Sequence, residues 1–320
     1  MRTKHIASLI AVCALIAGIF IMSRSAPNTD HVVKIGYLPS LGSLAYDVAA
    51  ETGAFDKAGI KVEKVPLATS NQIIEALVRG DIDMAPLLSV IPVLTSDQVA
   101  PGKAQIFSTS DYSLDQPFDK IITKKGSSIT SLKSLESKKL GVFPGSTATN
   151  LLKAYLAANG VDASKVTFVQ IPPPAQLTAL YSGAVDALHS YEPNTTIALD
   201  SDAAQEVYGS VFAGQLNHSP LGVGIISTIF VRNYPALAKK TVGVIDAANA
   251  SIKENPEAAR IIAAKAFNLE PAVASKIVLV HLSRSTDIDK ATFGKYLELL
   301  QSVGEIKGTT NLSGLFYTPN

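Results

Sequence analysis

The chain has 320 residues, 47% of them hydrophobic and 17% charged, with a formal net charge of +1. That apolar content suffices for a globular protein of two lobes or two domains, and no low-complexity tract points to disorder. The near-neutral charge gives no electrostatic footprint for nucleic acid or an acidic membrane surface as a partner.

The N-terminus has the features of an export signal. Arg2 and Lys4 precede an apolar run from Ile6 to Met22, and Ser23-Arg24-Ser25-Ala26 supplies the small residues of a signal-peptidase site. The run also approaches bilayer-spanning length, so residues 1–25 are expected to be a cleaved signal peptide or a retained anchor. Either way, the rest of the chain is expected outside the cytoplasm, in the periplasm or tethered to the outer face of the inner membrane. The only cysteine, Cys13, lies inside the apolar run. The exported part therefore has no thiol for a disulfide, a nucleophile or a thiolate metal site.

From Lys34 onward the chain repeats itself. Lys34-Ile35-Gly36-Tyr37-Leu38-Pro39-Ser40 resembles Lys139-Leu140-Gly141-Val142-Phe143-Pro144-Gly145-Ser146. Each is a short apolar run that stops at proline and small hydroxyl residues, as a strand entering a loop does. Helical stretches follow, Leu44 to Phe55 and Ala148 to Asn159, with Gly53 and Gly160 at their ends. Second strands come next, Ile60 to Val65 and Lys165 to Val169. A further helix in each copy closes on a shared phrase, Ala76 to Asp83 against Ala179 to Asp186. The offset stays at about 104 residues over roughly fifty positions.

Each copy thus reads strand–helix–strand–helix–strand, which demands a parallel-rich α/β sheet with helices on its faces. Ligands on such sheets bind beyond the carboxyl ends of the strands, so two facing lobes would enclose a cleft lined by strand-to-helix loops. Val223 to Val231 reads as another strand, and Pro235 to Val303 has helical spacing broken near Pro256 and Pro271. The expected division is 32–118 plus 221–320 for lobe 1 and 119–220 for lobe 2. The crossings are expected near Pro117–Lys120 and Ser219–Gly222.

Lys34 to Pro39, Gly53-Ala54-Phe55, Ala76 to Asp83, Pro144 to Thr149, Ala184 to Asp186 and Glu192-Pro193 resemble one family in order and spacing. It is the nitrate/sulfonate/taurine class of ABC-transporter substrate-binding proteins, which also contains binders of thiamine-precursor pyrimidines. The resemblance runs from about Val32 to Lys307. It implies a type II periplasmic-binding-protein fold, two lobes on a hinge that close on a small-molecule ligand, and docking of a monomer on an ABC transporter permease.

Gly145-Ser146-Thr147-Ala148-Thr149 follows a strand and opens a helix, where free backbone N–H groups and hydroxyls suit an anion. Ordinary N-capping accounts for the same hydroxyls. Ser40, Gly42 and Ser43 hold the equivalent place in lobe 1, and Ser89 follows that lobe's third strand. Tyr191 and Glu192 end the third strand of lobe 2, where Tyr191 either stacks on a ligand or packs, and Glu192 either accepts a hydrogen bond from it or pairs with a lysine. Asp83 and Asp186 repeat, but at strand starts, away from the cleft, where turn formation explains them. The expected ligand is a sulfonate, nitrate or similar oxyanion. The alternative is a thiamine-precursor pyrimidine or other flat heterocycle stacked on Tyr37, Tyr112 or Tyr191.

Nothing points to catalysis, a metal or a cofactor. The five histidines show no metal spacing, and no nucleophile elbow or phosphate-binding loop is present. His189 has acid–base reach near the cleft but reads as a satisfied histidine at a strand end. Pyrimidine-precursor synthases share the fold and carry a cysteine-rich stretch that this chain lacks. A regulator's effector domain would need a DNA-binding head, for which the segment before Val32 is too short and too apolar.

Overall fold

The computed structural model describes residues 31–308 and 310–318. The expected signal or anchor, residues 1–25 with Cys13, lies outside the described residues, as do the side chains of Ser146 and Thr147.

Eleven strands are seen among the described residues: β1 (Val33–Tyr37), β2 (Val62–Pro66), β3 (Met84–Ser89), β4 (Ala104–Tyr112), β5 (Asp119–Lys124), β6 (Lys139–Val142), β7 (Thr167–Gln170), β8 (Ala187–Tyr191), β9 (Ala204–Tyr208), β10 (Ser219–Ser227) and β11 (His281–Leu282). They form two sheets, ordered β11-β4-β10-β3-β1-β2 and β7-β6-β8-β5-β9. In the first, β1 runs parallel to β2 and β3, while β10 returns antiparallel between β3 and β4. In the second, β6 runs parallel to β7 and β8, and β5 lies antiparallel to β8 and β9. The chain passes from the first sheet to the second between Tyr112 and Asp119, and back between Tyr208 and Ser219.

The internal repeat is therefore a repeat of three parallel strands, and its shared residues have shared causes. A Cβ on Gly36 would stand 2.5 Å from Ile82 Cδ1, and one on Gly141 would stand 2.5 Å from Leu188 Cδ2. Each glycine lets a branched side chain lie flat against the central strand. Gly80 and Gly183 both end helices in the left-handed region, at φ 84° and 79°, where a Cβ is penalised.

Two element boundaries differ from expectation. The apolar run near Val223 is strand only to Ser227, whose hydroxyl accepts the Phe230 N–H at 3.4 Å and caps a helix over Thr228–Asn233. Periodicity alone does not separate a buried strand from a short buried helix, and the cap decides it. The first helix stops at Glu51, and Gly53, at φ 65°, separates it from a short helix over Ala54–Lys57. As read, Pro256 and Pro271 interrupt the C-terminal helices, each opening a new one. The edge strand β11 has no counterpart in the sequence reading.

Both sheets contribute to one apolar cluster, which runs from Ile73, Leu88 and Ile106 to Leu140, Val142 and Leu151. A second cluster packs Ile35, Leu44 and Phe55 against Ile245 and Ile252 of the long helix Pro235–Glu254.

Candidate functional site: the strand ends and an aromatic wall

The loop after β1 presents Ser40, Gly42 and Ser43. Ser40 has extended backbone and stands where a helix cap would, yet its hydroxyl caps nothing and is buried without a hydrogen-bond partner. Ser43 is committed elsewhere, donating to the Leu38 carbonyl at 2.7 Å in full burial. The space beside Gly42 belongs to Leu87 of β3, whose Cδ2 lies 2.4 Å from where a Cβ would stand. Its glycine therefore serves the packing of the loop on the sheet. Ser89, at the end of β3, is half-buried; its N–H donates to Ser70 Oγ at 2.9 Å, and its hydroxyl does not cap the helix that follows.

Tyr37 is tied into the core of this sheet. Its hydroxyl donates to Asp47 Oδ2 at 2.9 Å, and the Lys64 ammonium sits 3.4 Å from its ring centroid. Burial, with the Asp47 charge beside it, pushes the phenol above its ordinary range. That network leaves Tyr37 unsuited to stack on a ligand.

In the second sheet, Gly145 follows β6 at φ 120° and donates its N–H to Gln170 Oε1 at 3.2 Å. The helix Ser146–Ala158 starts there, with no side-chain cap from residue 145. Thr149 bonds back to the Gly145 carbonyl at 3.3 Å, so its hydroxyl serves the helix's own first turn.

Glu192 follows the end of β8 and is 7% exposed. Its carboxylate accepts from Thr196 Oγ1 at 3.0 Å and from the Thr196 N–H at 3.4 Å. Burial raises its pKa to about 7, against the opposing pull of Thr196, Lys120 and the Val278 backbone. The lysine pair foreseen for it is a longer-range attraction only, since Lys120 bonds Glu206 at 2.5 Å. The Glu192–Pro193 peptide bond is cis.

Tyr191 belongs to an aromatic wall. Its ring lies 5.0 Å from His189, 6.2 Å from Phe212 and 6.1 Å from Phe143, edge-on to the last. Tyr112 stacks on Phe118 at 5.3 Å and Phe212 at 5.9 Å. Phe143 is 42% exposed, so the wall opens to solvent beside Gly145. Burial also pushes the phenols of Tyr112 and Tyr191 upward.

Behind the wall, Asp119 is wholly buried and accepts from His189 Nε2 at 2.8 Å, the Val211 N–H at 2.9 Å, the Phe212 N–H at 3.4 Å and the Ser210 hydroxyl. His189 Nδ1 is buried with no partner. His189 is thus satisfied on one side only. Asp119, Phe143 and Phe212 escaped the sequence reading. Asp119 carried one signal, as an acid set between Phe118 and Ile121 at the expected crossing.

The structure therefore gathers the candidates into two sets, one per sheet: Ser40, Gly42, Ser43 and Ser89, and Gly145, Thr149, Tyr191 and Glu192. Among the described residues no group of three or more His, Cys, Asp or Glu residues is arranged to hold a metal ion. No described helix is long and apolar enough to cross a membrane.

Two mixed sheets in this order, joined by two crossings, define the fold of periplasmic binding proteins. The aliphatic sulphonate binding protein SsuA from Escherichia coli matches with a TM-score of 0.73 and 18% identity over 90% of this chain and 92% of that one. The nitrate-binding protein NrtA from Synechocystis PCC 6803 matches with a TM-score of 0.67 and 16% identity over 87% and 83%. A Bacillus subtilis (strain 168) protein named for binding aliphatic sulfonates is 27% identical over 201 residues, 59% of this chain and only 57% of that relative's length. The NMT1-like family profile matches residues 26–267, and the chain belongs to the NMT1-like family.

Proposed function

We propose that this protein is the extracytoplasmic solute-binding component of an ABC import system. It captures one small oxyanion of the sulfonate or nitrate kind and hands it, chemically unchanged, to a membrane permease. Residues 32–118 with 221–320 form one lobe and 119–220 the other, and the strand-end loops of both close on the solute. The names of the relatives support the solute class, and family membership supports the role. The observation that carries the reading is Ser40: a buried hydroxyl at a strand end, in cap position, that neither caps nor bonds. A buried donor is seldom left unpaired, and a bound oxyanion supplies the missing acceptor. The start of the Ser146–Ala158 helix, whose cap residue Gly145 has no side chain, offers further backbone donors.

One observation favours a second reading, a flat heterocycle. Phe143 is exposed at 42% with its neighbour Tyr191 edge-on to it, a surface on which a planar ring can stack. A thermal-shift panel of sulfonates, nitrate, pyrimidines and flavins tests both. The oxyanion reading predicts that the melting midpoint rises with a sulfonate or nitrate, since only the folded state binds. A response to neutral aromatics alone would replace it with the second reading.

A further inference from the structure

The Asp119–His189 pair places an unused hydrogen-bonding atom behind the aromatic wall. Asp119 receives the Ser210 hydroxyl and the Val211 and Phe212 N–H groups, all donors, so the His189 nitrogen 2.8 Å from it completes the set as a fourth donor. That contact assigns a proton to Nε2, and in the neutral imidazole the other nitrogen, Nδ1, is then a lone pair. His189 is 0% exposed, and its Nδ1 has no partner. The ring lies 5.0 Å from both Tyr191 and Phe212, and Tyr191 in turn meets the exposed Phe143. An unpaired acceptor enclosed by aromatic rings, one alternation back from the end of β8, is costly unless something donates to it. An oxyanion cannot, because it is itself only an acceptor.

We propose that His189 Nδ1 accepts a hydrogen bond from the captured solute, so that the solute is an organic oxyanion bearing a hydroxyl or amine as well as its charged group. This rests on the oxyanion reading above and narrows it. Within it, the loop at Gly145 and the Ser40 hydroxyl hold the charged end, the aromatic wall covers the carbon body, and His189 selects for the donor. Asp119 is a positioning residue, holding the ring in one tautomer. A site built around a buried acceptor discriminates strongly against the analogue lacking the donor, whereas an apolar pocket discriminates weakly.

The test is calorimetric titration of the full chain with matched solutes, 2-hydroxyethanesulfonate against propane-1-sulfonate, and the next longer pair. Each pair has equal charge and heavy-atom count. The hydroxylated member is expected to bind at least about tenfold more tightly. In His189→Gln, whose amide reaches toward Asp119 and leaves the Nδ1 position empty, the ratio should fall toward unity. In His189→Asn, whose amide stands near the Nδ1 position, part of it should return. Equal binding of both members by the unaltered protein overturns the proposal and leaves the oxyanion reading intact. A ratio unchanged in folded His189→Gln also overturns it. Binding of no sulfonate overturns this proposal, and failure of nitrate to bind as well overturns the oxyanion reading. If the variants do not fold, nitrogen-15 spectra of the histidine rings in the unaltered protein decide: a hydroxyalkanesulfonate must move one Nδ1 resonance, and unmoved resonances overturn the proposal.

Discussion

The Asp186 carboxylate accepts the Lys139 backbone N–H at 2.7 Å, and Asp83 accepts the Lys34 N–H at 2.9 Å in the same way. Each aspartate ties the start of a central parallel strand to its neighbour. Their repetition comes from this stitch, and they have no part in chemistry at the opposite end of the sheets. Asp186→Ala removes the acceptor while leaving the strand-end loops untouched. The expected cost is about 1 kcal/mol, modest because the bond lies at the surface. Urea unfolding of the apoprotein should show the lower midpoint, with solute affinity unaltered.

Glu192 makes stability depend on pH. Burial lifts its folded pKa from 4.5 to about 7, so between those values the folded state holds a proton that the unfolded state releases. Its contribution is fully present below about pH 4.5 and is lost as the pH rises through about 7. The loss amounts to at most about 3 kcal/mol. Denaturation of Glu192→Gln across this range should show a flatter profile than the unaltered protein. Parallel profiles would mean that Glu192 is ionised throughout.

Ser40 and Ser43 look alike in sequence and differ in the fold. Ser43→Ala removes one of two donors to the Leu38 carbonyl, which keeps the Ser40 N–H at 2.8 Å, for an expected loss of about 1 kcal/mol of stability. Ser40→Ala removes a hydroxyl that bonds nothing, so the apoprotein should melt no lower. Its solute affinity should fall about tenfold or more, the value of one hydrogen bond to a charged group. Melting curves and one titration for each variant separate the two roles; normal binding by Ser40→Ala would remove this residue from the site.

Gly42→Ala is a packing test. The new methyl group would meet Leu87 Cδ2 at 2.4 Å and Leu87 Cδ1 at 3.0 Å, an overlap expected to cost about 1–3 kcal/mol. Shortening the neighbour in Gly42→Ala/Leu87→Ala should recover part of the glycine variant's own penalty, measured against Leu87→Ala alone. Undiminished stability in the single variant would show that the loop is free to move off β3.

What could be read from the sequence was what the backbone demands of particular residue types. Gly36 with Gly141, Gly80 with Gly183 and Asp83 with Asp186 recur because each copy of the strand motif needs the same close approach, turn and stitch. The aromatic wall was not legible. Tyr112, Phe118, Phe143, His189 and Phe212 are scattered along the chain, and any one of them reads as an ordinary core residue until the two crossings bring them together. His189 was half legible: a histidine in a strand is expected to find a partner, and Asp119 provides one, but no pattern in the sequence marks its second nitrogen as unpaired. Capping and ligand contact also look identical in sequence, as Ser40 and Ser227 show. Only the hydrogen bond made by Ser227, and the absence of one at Ser40, tells them apart.

On the proposed function, the chain binds one small oxyanion between its strand-end loops without transforming it. Calorimetric titration of the purified protein with sulfonates and nitrate measures this most directly. Saturable binding of one oxyanion per chain is expected, weakened at least about tenfold in Ser146→Ala/Thr147→Ala. No binding of any oxyanion, together with stoichiometric binding of a neutral heterocycle, would contradict it.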